Sequence, residues 1–292
     1  MNLLQTNLFE TARIQKRPLI FDGAMGSLLQ QEKYESGESS WMTMVNETYP
    51  DAVIKIHKNY IKAGADIITT NTFRTNPAAL EKEGITNFEK YVKNAVIISK
   101  SAIENKSIMI AGSNAPAEDC YQKERIISLI KLKVNHHNHI DSLVNSGIDF
   151  ILNETFSHLD EIKIVCKYCF DNKIPYVISL YFTEELLLLS GEPLVEGLSI
   201  VREHNPMAIG FNCIAPEHFD RAMEQADINF NWGFYLNCGF DGHKPKKMEC
   251  AVTPDDYNEI VKKYLKINPS FIGACCGSSP EHIKALKKVI DE

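Results

Sequence analysis

The 292-residue chain has no apolar run near the roughly 18 residues that a membrane-spanning helix needs. Stretches such as 177–182 and the leucines at 186–189 stop far short. The opening residues, MNLLQTNLFETARIQKRPLIF, hold neither an uninterrupted apolar segment nor a small-residue cleavage site, which argues against a secretory leader. The eight cysteines are therefore expected as reduced thiols in a cytoplasmic protein rather than as a disulfide framework. Positive charge is scarce as well. With 31 Lys and Arg against 38 Asp and Glu, the formal net charge is −7, so the broad positive field that binds nucleic acid or an anionic membrane is missing. Small molecules are the expected partners. No Pro/Gly/Ser-rich linker, low-complexity tract or composition step divides the chain. With 44% hydrophobic and 24% charged residues, disorder and fibrous repeats are excluded and a sizeable core can be buried.

What is present is an alternation. Short β-branched runs are expected as strands at 18–22, 65–70, 107–112, 149–154, 176–181, 207–212, 232–237 and 270–275. Between them, residues 50–63, 87–104, 124–146, 158–171, 194–204, 216–226, 255–266 and 280–291 carry apolar side chains at helical spacing, as with Ala52, Ile56, Tyr60 and Ala63. Thr253-Pro254-Asp255-Asp256 and Ser279-Pro280-Glu281 read as helix starts, each a hydroxyl ahead of proline with acids in the first turn. Gly64, Gly84 and Gly147 read as helix ends. Eight strand and helix units without a linker fit a single (β/α)8 TIM barrel over residues 1–292, with a doubly wound open sheet as the competing arrangement.

Such a barrel carries its site at the C-terminal ends of its strands. The expected exits are rich in reactive groups: Asp22-Gly23, Thr70-Asn71-Thr72-Phe73, Asn153-Glu154-Thr155, Asn212-Cys213, Asn237-Cys238-Gly239 and Cys275-Cys276-Gly277. Cys213 is remote in sequence from Cys275 and Cys276, but barrel closure brings the sixth and eighth exits to one rim. Three soft thiolates suit Zn2+, and three protein ligands with one position open describe a catalytic rather than a structural zinc site. Cysteine is also a common small buried residue, so spacing alone leaves both readings open.

Other candidates point away from chemistry. Cys166 and Cys169 form a CxxC inside a helix rather than at a helix N-terminus, which favours packing over redox exchange. Cys120 and Cys250 fall in loops with no evident partner. Cys238, beside the expected site, reads as a spare ligand or as a packed rim thiol. His136-His137-Asn138-His139 lies in mid-helix without the i, i+4 pairing or acidic partner of a helical metal motif, so a solvated helix face is expected. Gly23-Ala24-Met25-Gly26 lacks the spacing of either phosphate-binding fingerprint.

Phe21-Asp22-Gly23-Ala24-Met25-Gly26, the segment from Ala63 to Phe73, Gly210-Phe211-Asn212-Cys213, Asn237-Cys238-Gly239 and Gly273-Ala274-Cys275-Cys276-Gly277 together resemble the homocysteine S-methyltransferase family, in order and over nearly the whole chain. The resemblance implies that Cys213, Cys275 and Cys276 bind one zinc whose open position accepts the sulfur of L-homocysteine. That sulfur would attack a methyl group on a small sulfonium donor, S-methylmethionine or S-adenosylmethionine, to give methionine. The resemblance also implies that Glu154 holds the substrate amino group, that Asp22 is a second acid on the pocket, and that Thr70, Asn71 and Thr72 face the polar end of the amino acid. Structural acids and strand-end caps are the alternative roles for these residues. Asn237 is implied as a partner of the zinc site or a temporary fourth ligand, or else as a turn residue. Trp41 resembles the donor-side aromatic of stand-alone members, where a cationic methyl group meets the ring; a core tryptophan is the alternative. The third exit, Gly112-Ser113-Asn114-Ala115-Pro116, departs from the family's GSxGP pattern. Ending at Glu292 shortly after the cysteine pair, the chain is expected to lack the folate and cobalamin domains of larger modular enzymes. A betaine-dependent or corrinoid-partnered enzyme is the nearest alternative, and a non-catalytic zinc-binding regulatory relative is the alternative of another class.

Overall fold

The computed structural model describes residues 7–104, 107–225, 227–238 and 250–292; the expected site neighbour Gly239 and the expected helical residue 226 lie outside them. Eight parallel strands are present: β1 (Leu19–Ile20), β2 (Ile67–Thr69), β3 (Met109–Asn114), β4 (Phe150–Phe156), β5 (Tyr176–Leu180), β6 (Ala208–Asn212), β7 (Trp232–Leu236) and β8 (Phe271–Ala274). They pair in the order β1-β8-β7-β6-β5-β4-β3-β2. The two ends of that order meet, because Phe21 bridges Ile67 in parallel. There the Asp66 N–H donates to the Ile20 carbonyl at 2.8 Å and the Asp22 N–H to the Ile67 carbonyl at 2.9 Å. The sheet follows sequence order and closes as a (β/α)8 barrel, without the strand-order reversal of a doubly wound sheet.

All eight expected strands occur, two of them displaced. β3 continues through Ser113 and Asn114, which pair with Leu152 and Asn153 of β4, and β4 continues to Phe156. These polar residues read as loop in a hydrophobicity pattern, yet the neighbouring strand satisfies their backbone. Eight longer helices, Pro50–Ala63, Phe88–Ala102, Leu129–Ser146, Leu159–Asp171, Leu194–Glu203, Pro216–Gln225, Pro254–Leu265 and Pro280–Asp291, alternate with the strands. Their ends follow the local chemistry. Thr253 Oγ1 accepts from the Asp256 N–H at 3.2 Å, the Ser279 N–H donates to His282 Nδ1 at 3.1 Å, and Gly64 and Gly147 close helices at φ of 110° and 82°.

Two features depart from the sequence reading. The first is a helix at Leu8–Gln15, capped by Asn7. It places Phe9, fully buried, edge-on to Phe150 and Phe271 with ring centroids 5.6 Å away in each case. Because those two residues begin β4 and β8, Phe9 plugs the N-terminal end of the barrel, a burial that stabilises by about 2 kcal/mol.

The second is a correction at His136–His139. His136 and His139 are fully buried; Asn138 is exposed and His137 half-buried, stacked on Tyr168. The buried face of Leu129–Ser146 is Leu132, Asn135, His136, His139, Ile140, Ser142 and Leu143, a helical stripe in which four of the seven members are polar. His136 Nε2 lies 2.7 Å from Glu161 Oε1. His139 meets Thr75 Oγ1 at 2.8 Å and Asn114 Oδ1 at 2.9 Å. Glu161 also accepts from the Ala117 N–H at 2.8 Å and from Arg125 at 3.3 Å. Burial opposes its charge, but the hydrogen bond and charge of His136, with the Arg125 guanidinium, hold the carboxyl at about 2.

Candidate active site

Cys213 follows the last residue of β6, and Cys275 and Cys276 follow the last residue of β8. The three sulfurs lie within 4.8 Å of one another, those of Cys275 and Cys276 at 4.0 Å. The backbone is shaped to bring them there. Cys213 adopts φ 55°, a strained conformation for a residue with a side chain. It is held by its N–H to the Tyr235 carbonyl at 3.3 Å and by Asn237 Nδ2 on its own carbonyl at 3.2 Å. The Cys275 N–H donates to the Leu236 carbonyl and the Cys238 N–H to the Cys276 carbonyl, both at 2.8 Å. Gly277, at φ 83°, then turns the chain back, and its N–H donates to Ser27 Oγ at 3.1 Å. Hydrogen bonds from the Cys213 and Cys275 thiols hold Cys276 well below the ordinary thiol range, and Cys275 rises through its bonds with Cys213 and Cys276. Among the described residues no fourth Cys, His, Asp or Glu joins the group.

The remaining cysteines divide. Cys166 and Cys169 are fully buried on their helix, in keeping with packing. Cys238 is fully buried, with its thiol turned 3.9 Å from the Leu236 carbonyl, and stands apart from the sulfur group. Cys250 is exposed and lies 3.0 Å from the Val252 carbonyl. Cys120, without a partner in the sequence reading, lines the cavity described next.

Asp22 and Glu154, with Glu38, Glu118 and Asp119, share that cavity with the thiols. Asp22 accepts from the Thr69 N–H at 2.8 Å and from the Thr69 hydroxyl at 2.9 Å, one at each carboxylate oxygen. Burial pushes its carboxyl up to about 8 against those two bonds, with a smaller contribution from the charge of Glu154. Glu154 projects from β4 where the register with β5 shifts between Asn153 and Phe156, and Thr155 there has φ 63°. The irregularity leaves Asn153 and Thr155 buried and Glu154 on the cavity. Its carboxylate accepts from the Ser113 hydroxyl and from Tyr235 Oη, the latter at 3.4 Å. Burial pushes it up to about 7, opposed by the Ser113 bond.

The cavity, about 520 Å3, runs from the three sulfurs past Asp22, Thr70, Asn71 and Glu154 to Trp41, within the range of small-molecule sites. Trp41 is half-buried, unlike the fully buried core tryptophan Trp232. Its ring lies against Gly26, where a Cβ would stand 2.4 Å away, and edge-on to Phe73 at 6.3 Å. Thr72 does not line the cavity, and neither does Asn237, which stands behind Cys213 as a partner of the thiol group. Thr72 is fully buried and donates to the Ser113 carbonyl at 2.7 Å, tying β3 to the β2 exit. Asn237 donates from Nδ2 to the Cys213 carbonyl, while its Oδ1 is buried with no hydrogen-bond partner among the described residues. Asn71 lines the wall, but its Nδ2 bonds the Met42 carbonyl and Asn46 Oδ1, both at 3.1 Å. Sequence reasoning missed Arg74, Ser113, Tyr121 and Tyr235 on the wall. Ser113 sits in a strand exit already singled out, and Arg74 directly follows another. Tyr121 lies in an aperiodic loop that offers no signal.

A family model described as homocysteine S-methyltransferase matches residues 19–290. The chain is 23% identical to homocysteine S-methyltransferase 2 of Arabidopsis thaliana, over 92% of each protein. It is 24% identical to selenocysteine Se-methyltransferase of Brassica oleracea var. italica, over 92% of this chain and 88% of that one. The crystal structure of the metallated homocysteine methyltransferase MmuM of Escherichia coli shares the fold, with a TM-score of 0.80 at 20% identity over 96% of this chain and 99% of that one. Since the family model extends from the first strand to the last helix, the chain belongs to the homocysteine S-methyltransferase family, a family of methyl-transferring enzymes.

Proposed function

We propose that the protein is a zinc-dependent methyltransferase that moves a methyl group from a small sulfonium donor, S-methylmethionine or S-adenosylmethionine, to L-homocysteine and so forms methionine. The observation that carries this reading is the group of three thiols at one end of a cavity whose walls hold Asp22, Glu154 and Trp41. Cys213, Cys275 and Cys276 form a soft, all-sulfur donor set with no fourth protein ligand among the described residues. That set fits zinc with a position left for substrate. Zinc bound there would lower the pKa of a coordinated thiol into the neutral range.

The chain's own residues orient the reactants. Glu154 and Asp22 receive the ammonium group of homocysteine, and the donors on those carboxylates, Ser113, Tyr235 and Thr69, fix their direction. Thr70 and Asn71 face its polar end. The acceptor thiolate then attacks the methyl carbon in line. A new S–CH3 bond forms, the donor S–CH3 bond breaks, and its electron pair stays on the donor sulfur, which becomes a neutral thioether. Trp41 lies against the positive charge of the donor before transfer. The chain acts as one homocysteine-binding unit on small molecules, in a reducing cytoplasmic setting that keeps its thiols free. Among the described residues no helix is long and apolar enough to cross a membrane.

The test is a donor panel of S-methylmethionine, S-adenosylmethionine, betaine and methylcobalamin with homocysteine, alongside metal analysis. One zinc per chain and methionine from a sulfonium donor are expected, with both lost in Cys213→Ala and Cys276→Ala. Full turnover by metal-free protein, or turnover with betaine alone, overturns the reading.

A further inference from the structure

Arg74 lines the cavity just beyond Phe73 and is half-buried. Its Nη1 donates to the carbonyls of Pro116 at 3.3 Å and Glu118 at 2.5 Å, and its guanidinium carbon lies 5.4 Å from the centre of the Phe73 ring. These contacts fix the plane of the group while using one of its three nitrogens. The nearby acids are engaged elsewhere. Glu118 faces Arg125 at 3.5 Å and accepts from the Ile126 and Ile127 N–H groups, and Asp119 accepts from the Tyr121 N–H at 2.9 Å. Among the described residues no carboxylate forms an ion pair with Arg74. A partly desolvated guanidinium with no anion is costly, and an oriented planar fork with free N–H groups matches a carboxylate.

The distribution of charge decides whose carboxylate. The thiols, Asp22 and Glu154 make one end of the cavity acidic, suited to the ammonium group of the acceptor. Arg74 stands instead with Phe73, whose ring meets Trp41. Arg74 shares its part of the wall with Glu118, which is paired with Arg125, and with Asp119; a donor that is only a cation has nothing to offer the free N–H groups of the fork, whereas a zwitterion brings a carboxylate that they can bind.

We infer that Arg74 is the carboxylate receptor of the donor subsite, so that the enzyme selects methyl donors carrying a carboxylate beside the onium centre over donors that lack one. This inference rests on the function proposed above.

The test compares wild-type holoenzyme with Arg74→Gln and Arg74→Lys, using S-methyl-L-methionine and its carboxamide as donors. Donor and homocysteine are varied separately, and donor binding is measured by calorimetry. Arg74→Gln should raise the KM for S-methylmethionine about 10- to 100-fold, the loss of a charge-assisted pair. It should leave the homocysteine KM within about twofold and abolish the preference for acid over carboxamide, and Arg74→Lys should recover part of that preference. A rise in homocysteine KM with donor KM unmoved would place Arg74 on the acceptor and overturn the inference. An unchanged acid-to-carboxamide ratio with a lower kcat would leave it only a clasp on the 116–118 segment, overturning it equally. If neither sulfonium is turned over, the proposed function fails, and calorimetry still decides the role of Arg74: equal wild-type affinity for acid and carboxamide overturns it.

Discussion

The indole of Trp41 lies against Gly26 so closely that a Cβ on Gly26 would stand 2.4 Å from the ring. Gly26 begins the helix Gly26–Gln31, so its backbone conformation does not demand glycine; the demand comes from the ring. Gly26→Ala should therefore push the indole off the donor wall. Overpacking of this kind costs about 1–3 kcal/mol. Chemical denaturation should show that loss, and the donor KM should rise while the homocysteine KM holds. Unchanged stability together with an unchanged donor KM would show that the ring is not pinned there.

Glu154→Gln keeps the shape of the side chain and removes its charge. Ser113 and Tyr235 donate to different oxygens of Glu154; in the variant one hydroxyl keeps the amide oxygen as acceptor and the other must rotate to accept from the new NH2, so the thermal midpoint should shift little. The ammonium group of homocysteine loses its counter-charge, and the expected result is a rise of about 10- to 100-fold in homocysteine KM with donor KM within about twofold. Steady-state kinetics with each substrate varied in turn separates these, and an unaltered homocysteine KM removes Glu154 from the acceptor site.

Glu161 predicts how stability depends on pH. Its carboxyl is held at about 2, below its ordinary 4.5, so on acidification the unfolded chain takes up the proton first. The stabilisation is complete above pH 4.5 and disappears as pH falls toward 2, an effect of about 3 kcal/mol. His57, lowered from 6.5 to about 4 by burial, adds a separate loss that begins at higher pH: the unfolded histidine is protonated below 6.5 while the folded one stays neutral until about 4. Glu161→Gln should be less stable at pH 7 by about 3 kcal/mol and should lose less stability between pH 4.5 and 2. Urea denaturation across that range checks both, and a variant with the wild-type acid limb would rule out Glu161 as its source.

The alternation of strands and helices, and hence the barrel, was legible because parallel strands are covered on both faces and leave short apolar runs. The residues of β5, β6 and β7 are all buried, as those runs require. The cysteines were legible for a related reason. Once eight strands are counted, Cys213 and the Cys275–Cys276 pair fall at strand exits, and closure leaves exits on one rim. The helix Leu8–Gln15 was not legible, since nothing in its composition marks Phe9 as the plug of a barrel it precedes.

Sequence by itself therefore determined the architecture, the three converging thiols and the acid at the β4 exit. Tertiary structure alone decided which polar residues meet. His136 and His139 resemble a solvated patch until Asn114 and Glu161, from other elements, arrive to pair with them. Thr72 resembles a cavity residue until its hydroxyl turns to the Ser113 carbonyl, and Asn237 reaches the site only through the Cys213 carbonyl. Arg74 resembles a loop cation until its position on the cavity and the pairing of Glu118 with Arg125 become visible. Periodicity reports how much of a segment is buried, because burial follows local hydrophobicity. It carries no record of which donors and charges face one another, because those partners come from distant segments and are chosen only when the barrel closes.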